Sequence, residues 1–383
     1  MAGRGLDRAM FERAIELERG SPVAAADSAA GALAALLKYA DQLVESRSML
    51  LALADVADEG SMPYVIGHLP QLELWSGNWE AAEHYARLHL ELAQRTHQDS
   101  QRHAAQLNLA TIATYRGDVE RAAPMAPQLF DEGSQKGALW TERSGAGLLR
   151  LLAMTTGDAP SAVRHLVRYD EIGEGMNLHE PGYVRFHGDL VEALVAAGDI
   201  ERAESLLDRI EPRAVRLGRV SALGTVRRGR ALVFAHRGEA DPAVAAATAA
   251  VAAYEGTPLL YDRARAELTL GVVLRRFRRR AQARAALTEA AATFQLLGAT
   301  GLVDRARLEL DRVGGRDDRP LALTNTEHRV ASLAAQGRTT RQIADALFVS
   351  AKTVEANLTR IYRKLGVTNR AELATRMADH SNS

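Results

Sequence analysis

Ala196-Ala-Gly198-Asp-Ile-Glu-Arg-Ala203 is one copy of a segment that recurs through most of the chain. Trp75-Ser-Gly77-Asn-Trp-Glu-Ala-Ala82, Tyr115-Arg-Gly117-Asp-Val-Glu-Arg-Ala122 and Thr155-Thr-Gly157-Asp-Ala-Pro-Ser-Ala162 precede it. His236-Arg-Gly238-Glu-Ala-Asp-Pro-Ala243 follows, and a degenerate copy, Arg276-Phe-Arg278-Arg-Arg-Ala-Gln-Ala283, closes the series. The glycines stand at 77, 117, 157, 198 and 238 with arginine at 278, so successive copies lie 40 or 41 residues apart. A fixed period of this length is the signature of a repeat architecture.

Each unit has a simple physical logic. A helix ends at the glycine, which accepts the left-handed backbone of a helix C-terminus. The following Asp, Asn or Glu caps or charges the start of the next helix. The small alanine five residues after the glycine lets neighbouring helices approach. Apolar residues then recur at helical spacing, as in Leu206, Leu207, Ile210, Val215 and Leu217, and in the preceding helix Leu190, Val191, Leu194 and Val195. Neither helix of a unit buries its stripe alone, so the units must stack into a solenoid. Six units are expected from Trp75 to Leu310, with weaker helices upstream at Leu33 to Asp58 and Met62 to Leu74.

The pattern Gly-Asp-x-x-x-Ala before a long helix resembles tetratricopeptide-type repeats, at a period near 40 rather than 34. The concave face of such a solenoid is expected to take a protein segment or a small-molecule inducer.

Val313-Gly-Gly-Arg-Asp-Asp-Arg-Pro320 breaks the helical pattern with two glycines, a charge run and a proline. It divides the chain into a repeat domain at 1–313, a linker at 314–320 and a C-terminal domain at 321–383. The charge is divided as well. The 383 residues carry no net charge, yet from Thr324 onward nine Lys/Arg face five Asp/Glu, which gives +4 there and −4 in the rest. A small basic module on a larger acidic body suits a nucleic-acid reader joined to something else.

The C-terminal domain is punctuated by caps. Thr324-Asn-Thr-Glu327 and Thr339-Thr-Arg-Gln342 are capping boxes; Ser350 and Asn369 open two further helices; Gly337 and Gly366 close helices. Two helices joined across Phe348-Val349 form a helix-turn-helix, whose second helix, Ala351 to Leu365, would enter the major groove N-terminus first. Glu355, Ala356 and Thr359 are the expected base readers, glutamate suiting a cytosine amino group and alanine a thymine methyl. Lys352, Thr353, Arg360, Arg363 and Lys364 are expected on phosphates. Thr339 and Thr340 join them through a helix N-terminus.

Leu323-Thr-x-x-Glu327-x-x-Val330-x-x-Leu333-x-x-x-Gly337, Gln342-Ile343-Ala344-x-x-Leu347, Val349-Ser350-x-x-Thr353-Val354, Lys364-Leu365-Gly366-Val367 and Arg370-x-x-Leu373 together resemble the LuxR-type helix-turn-helix. Asn357 departs from the pattern, standing where the family often has histidine. The resemblance implies double-stranded promoter DNA as partner, a homodimer paired through the last helix with Leu373 and Met377 as contacts, and RNA polymerase as a further partner. Repeats followed by this module resemble the C-terminal part of the large ATP-binding LuxR-type regulators related to the maltose activator. Of the four lysines, Lys38, Lys136, Lys352 and Lys364, none lies in a Walker A loop. Either the ATPase is lacking, or the chain is the C-terminal part of a longer one.

Other classes of function find little support. Cysteine is absent, which rules out disulfides, thiolate zinc sites and cysteine nucleophiles. His84 and His89 are five apart and no His-Glu-x-x-His occurs, so no metal is expected. No Gly-x-Ser-x-Gly or paired-carboxylate signature appears, and neither an enzyme nor a cofactor is expected. Met1 to Arg19 lacks the apolar core of a signal peptide, and no apolar run of about 18 residues exists to span a membrane. The basic run Arg275 to Arg280 falls at a repeat turn, where exposure is expected. These readings converge on an all-α cytoplasmic regulator, a tetratricopeptide-like helical-hairpin solenoid followed by a small four-helix LuxR-type helix-turn-helix domain. An interaction scaffold, or a regulatory fragment of an ATP-dependent LuxR-type switch, is the alternative.

Overall fold

The computed structural model describes residues 2–20, 23–183, 185–314, 323 and 325–381. Helix α1 (Arg8–Glu18) is followed by α2 (Ala29–Leu37), which runs into a short 3-10 turn, Lys38–Ala40. Helices α3 (Leu43–Ala54), α4 (Met62–Gly67) and α5 (Leu69–Trp75) complete an N-terminal bundle. Paired helices then follow in order: α6 (Trp79–Arg95) with α7 (Asp99–Tyr115), α8 (Met125–Lys136) with α9 (Leu139–Thr156), and α10 (Ala159–Gly175) with α11 (His187–Ala197). The series continues with α12 (Ile200–Leu217) and α13 (Val220–Arg237), α14 (Ala240–Ala252) and α15 (Leu260–Arg276), and α16 (Arg280–Leu297) and α17 (Thr300–Gly314). The C-terminal helices are α18 (Asn325–Ala335), α19 (Thr340–Leu347), α20 (Ala351–Leu365) and α21 (Arg370–Ser381).

The repeat register read from sequence holds residue by residue. Gly77, Gly117, Gly157, Gly198 and Gly238 all have φ between 76° and 91°, and Arg278 takes the same left-handed conformation at 62°. The alanine five positions on is buried in all six copies: Ala82, Ala122, Ala162, Ala203, Ala243 and Ala283. Asp158 and Asp199 cap their helices by accepting from the backbone N–H of Ser161 and Arg202. After Gly117 the chain makes turns until Pro124, and α8 begins only at Met125.

A second series, not apparent in the sequence, lies midway between the first. His97, Gly137, Asn177, Gly218, Gly256 and Gly298 also have positive φ, between 55° and 75°. The chain therefore reverses every 20 residues or so, each reversal using one left-handed residue. Inside the second pair, α8 and α9 touch backbone to backbone. A Cβ on Gly133 would lie 2.1 Å from the Glu142 nitrogen, and one on Gly145 2.2 Å from that of Phe130.

The solenoid does not stay open. Trp79, Ala82 and Leu109 share one apolar core with Leu268, Leu287 and Phe294. The Trp79 and Tyr115 rings lie 5.7 and 5.3 Å from that of Tyr261, and Thr300 Oγ1 donates to the Arg116 carbonyl at 2.9 Å. The first full pair thus packs against the last helices. The N-terminal bundle joins the closure: Asp41 accepts from Arg185 at 2.6 Å and from the Ser221 N–H at 2.9 Å. The expected concave face is consequently drawn into a walled, partly open cavity.

The C-terminal helices have a core of their own, built on Val330, Ala331, Ile343, Val354, Leu358 and Ile361. The expected linker lies from residue 315 onward outside the described residues, as does Thr324 of the first expected capping box. No helix among the described residues is long and apolar enough to cross a membrane.

Candidate nucleic-acid interface and interior cavity

Local chemistry fixes the starts of three of the four C-terminal helices. Thr339 accepts from the Gln342 N–H at 3.2 Å while Gln342 accepts from the Thr339 N–H at 2.9 Å, a complete capping box that starts α19. Phe348 ends α19 in the left-handed region, φ 54°, and the chain turns within three residues. Ser350 Oγ then accepts from the Thr353 N–H at 3.1 Å and starts α20. Asn369 Oδ1 does the same for α21 through the Glu372 N–H at 2.9 Å. Gly337 and Gly366 carry positive φ at the ends of α18 and α20.

Helix α20 has two contrasting sides. Val354, Leu358 and Ile361 face the core. Lys352, Glu355, Ala356, Thr359, Arg360 and Arg363 are exposed, and Thr353 is half-buried beside them. Thr339 is exposed and Thr340 half-buried at the start of α19. Two of the expected roles do not fit the geometry. Lys364 turns inward, where its ammonium is bonded to Glu327 and both side chains are nearly solvent-free, so it is not available to a phosphate on the outer face. Leu373 is fully buried in the domain's own core and offers no surface to a second copy; Met377 is partly buried against that core. Asn357 is buried as well. Its Nδ2 donates to the Thr353 carbonyl at 3.0 Å.

This domain meets the repeats away from the exposed side of α20. Arg329 pairs with Glu120 at 3.1 Å, and Thr326, His328, Leu347, Val349 and Asn357 face the repeat turns around Gly117, Thr155 and Thr300 across a cleft of about 240 Å³. The basic run at 275–280 is divided: Arg275 pairs with Glu309 and Arg279 with Asp241, while Arg276, Arg278 and Arg280 are exposed.

The sequence reading missed the walled interior. A cavity of about 430 Å³ is bounded by α4, α5, α6, α7, α9, α10, α11 and α15 together with the turn at Lys38. All three tryptophans of the chain, Trp75, Trp79 and Trp140, line it, as do five of the nine tyrosines. Arg150, Arg185, Arg265 and Asp189 knit its floor: Arg150 and Arg265 both bond Asp189, and Arg265 also reaches Glu192 at 2.8 Å. Burial raises the Glu192 pKa, but Arg305, Arg265 and Arg228 outweigh it and hold the carboxyl well below its usual range. Lys38 lines the wall without a carboxylate partner among the described residues. Its Nζ is 3.2 Å from His68 Nδ1, and burial lowers its pKa to about 7.

Described residues that form helices without strands and end in four helices around one core, with an exposed polar and cationic side on α20, define a helix-turn-helix protein. The family described as "Bacterial regulatory proteins, luxR family" matches residues 321–378. The spore germination protein GerE of Bacillus subtilis is 42% identical over 50 residues, which is 13% of this chain and 68% of GerE. The transcriptional regulatory protein UhpA of Escherichia coli is 45% identical over 65 residues, 17% of this chain and 32% of UhpA. A Mycobacterium tuberculosis protein named as an HTH-type transcriptional regulator is 38% identical over 85 residues, 21% of this chain. The match spans about a tenth of the length of the mycobacterial relatives. The chain belongs to the luxR family of bacterial regulatory proteins. Among solved structures, the Rap protein complexed with Competence and Sporulation Factor superposes with TM-score 0.47 and 14% identity, covering 80% of this chain and 84% of that one. A Pyrococcus horikoshii STAND protein with a tetratricopeptide repeat sensor gives 0.43 and 12%, covering 90% of this chain and 52% of that one.

Proposed function

We propose that the chain is a sequence-specific DNA-binding transcription regulator, working in the cytoplasm, in which residues 321–383 read promoter DNA and residues 1–313 sense a signal. The exposed side of α20 carries the reading, because it places Lys352, Arg360 and Arg363 around Glu355, Ala356 and Thr359 on a helix rooted in a rigid core. Cations at the rim bond phosphates and set the register, while the central residues reach base edges. Thr353, Thr339 and Thr340 add neutral phosphate contacts at two helix N-termini. A homodimer on inverted half-sites, with α21 near the pairing surface, and contact with RNA polymerase complete the proposal. No catalytic step is assigned.

Selection from a random duplex library, followed by gel shift, tests it. A recurring motif is expected, with affinity falling linearly in log–log against salt because each neutralised phosphate releases counterions. Equal affinity for all duplexes at physiological salt, or none, would overturn the reading in favour of an interaction scaffold. Sedimentation of the complex on a two-half-site duplex checks the dimer.

A further inference from the structure

The interior cavity has an arginine that no carboxylate among the described residues neutralises. Arg150, Arg185 and Arg265 each bond at least one carboxylate. Arg143 bonds none among the described residues, although it is only 5% exposed. Its Nη1 donates to the Tyr183 hydroxyl at 3.4 Å, and its Nε and Nη2 have no hydrogen-bond partner among the described residues. The guanidinium instead lies 3.9 Å from the centre of the Tyr169 ring and 5.2 Å from that of Tyr183. Gly147 makes this stack possible, since a Cβ there would meet the Tyr169 ring at 3.0 Å. Ring faces attract a cation but leave its N–H donors unbonded. A buried charge without a counter-ion is costly and is ordinarily paired. An arginine kept in this condition on a cavity wall marks a place where an anion belongs.

The rest of the wall describes what accompanies the anion. The rings of Trp75, Tyr39, Tyr115, Tyr169, Tyr183 and Tyr261 are only half-buried although they point into the protein, so their free area faces the cavity. Lys38 supplies a second carboxylate-free basic group on the same wall. A volume of about 430 Å³ suits a small molecule. Eight helices and the turn at Lys38 contribute residues to its wall.

We infer that the repeat domain binds a small organic carboxylate with a flat, ring-bearing body, its carboxylate on Arg143 and its ring among the tryptophans and tyrosines. This rests on the reading that residues 1–313 sense a signal, and gives that signal a chemical class. A planar guanidinium holds a carboxylate through paired N–H donors, and the stacked rings take the apolar body.

The full chain is titrated with 4-hydroxybenzoate and trans-cinnamate, and with their primary amides, by calorimetry and by tryptophan emission. The acids are expected to saturate with a change in emission, since every tryptophan lies at the site, and to bind at least about tenfold more tightly than the amides. Arg143→Met is expected to remove that tenfold preference while leaving the amides and the helical circular dichroism unchanged. Arg143→Lys is expected to keep part of the preference. Trp140→Ala, at an exposed rim position, is expected to weaken acid and amide alike without unfolding. Equal binding of acids and amides, a preference that survives Arg143→Met in a folded chain, or no saturable response to either acid at 10 mM overturns the inference. So does a glutamate-rich hexapeptide that binds where the small acids do not. Gel shift on the same preparation separates the two proposals. Loss of ligand with DNA binding intact defeats only this one, and ligand binding without DNA binding defeats only the regulator reading.

Discussion

Single side chains on α20 are expected to have separable effects on DNA binding. Lys352→Ala is expected to weaken binding to all duplexes alike and to reduce the salt slope by about one, because a phosphate contact carries no sequence information. Glu355→Ala is expected to relax preference at one base pair, by about 1–3 kcal/mol, measured by competition with single-base variants of the selected site. Lys364 belongs to a different group. Lys364→Met leaves the buried Glu327 carboxylate without its ammonium partner, and loss of one member of a buried pair costs about 3–5 kcal/mol. Hydrogen exchange of α19 to α21 should show that loss, and the double variant Lys364→Met/Glu327→Leu should recover most of it. Lys38 couples stability to pH. Its pKa falls from 10.5 to about 7 on folding because burial disfavours the ammonium. Between those limits the unfolded chain holds more protons than the folded one, so stability rises with pH across the window and is lost as pH falls towards 7. His68, which faces the ammonium through Nδ1 and its carbonyl oxygen, is itself held neutral by burial and by Lys38. Urea midpoints at pH 7 and 9 should differ less in Lys38→Met than in the parent chain.

The turns are where sequence and structure agree best. Arg278 adopts at φ 62° the conformation its five glycine counterparts adopt freely. Arg278→Gly is expected to stabilise by about 1 kcal/mol, since a left-handed residue with a Cβ costs about 1–2. Gly238→Ala is expected to destabilise by a similar amount. Nothing lies within 4 Å of a Cβ there, so the cost is the backbone's alone. Thermal melts of the two variants should move in opposite directions. Five turns were legible because glycine, an acidic or amide residue and alanine recur together, and the sixth, at Arg278, through its spacing and Ala283 alone. The six between them were not, because His97 and Asn177 replace glycine and no partner motif accompanies them. The caps of α19, α20 and α21 were legible for the same local reason. The inward turn of Lys364 was not. It depends on Glu327, 37 residues away, and a cationic residue near a helix end reads as surface until its partner is seen.

At the scale of the molecule, the solenoid was foreseeable and its closure was not. Periodicity states how each unit meets the next; it says nothing of whether the sixth meets the first. The seam is made of Trp79, Tyr115 and Tyr261, residues up to 182 positions apart with no shared motif. The cavity was hidden for the same reason, since its wall draws one or a few residues from each of many helices. The N-terminal bundle also escaped the repeat pattern, yet Asp41 ties it to Arg185 and Ser221.

That seam changes how the array should tolerate editing. A linear stack of like modules survives the excision of one, because each touches only its neighbours. Here the curvature per module and the number of modules must agree, as staves must agree with their hoop. Cutting out residues 199–238 would leave every local junction chemically intact and yet carry Tyr261 out of register with Trp79. Such a shortened chain is expected to keep its helical content and lose its single sharp melting transition.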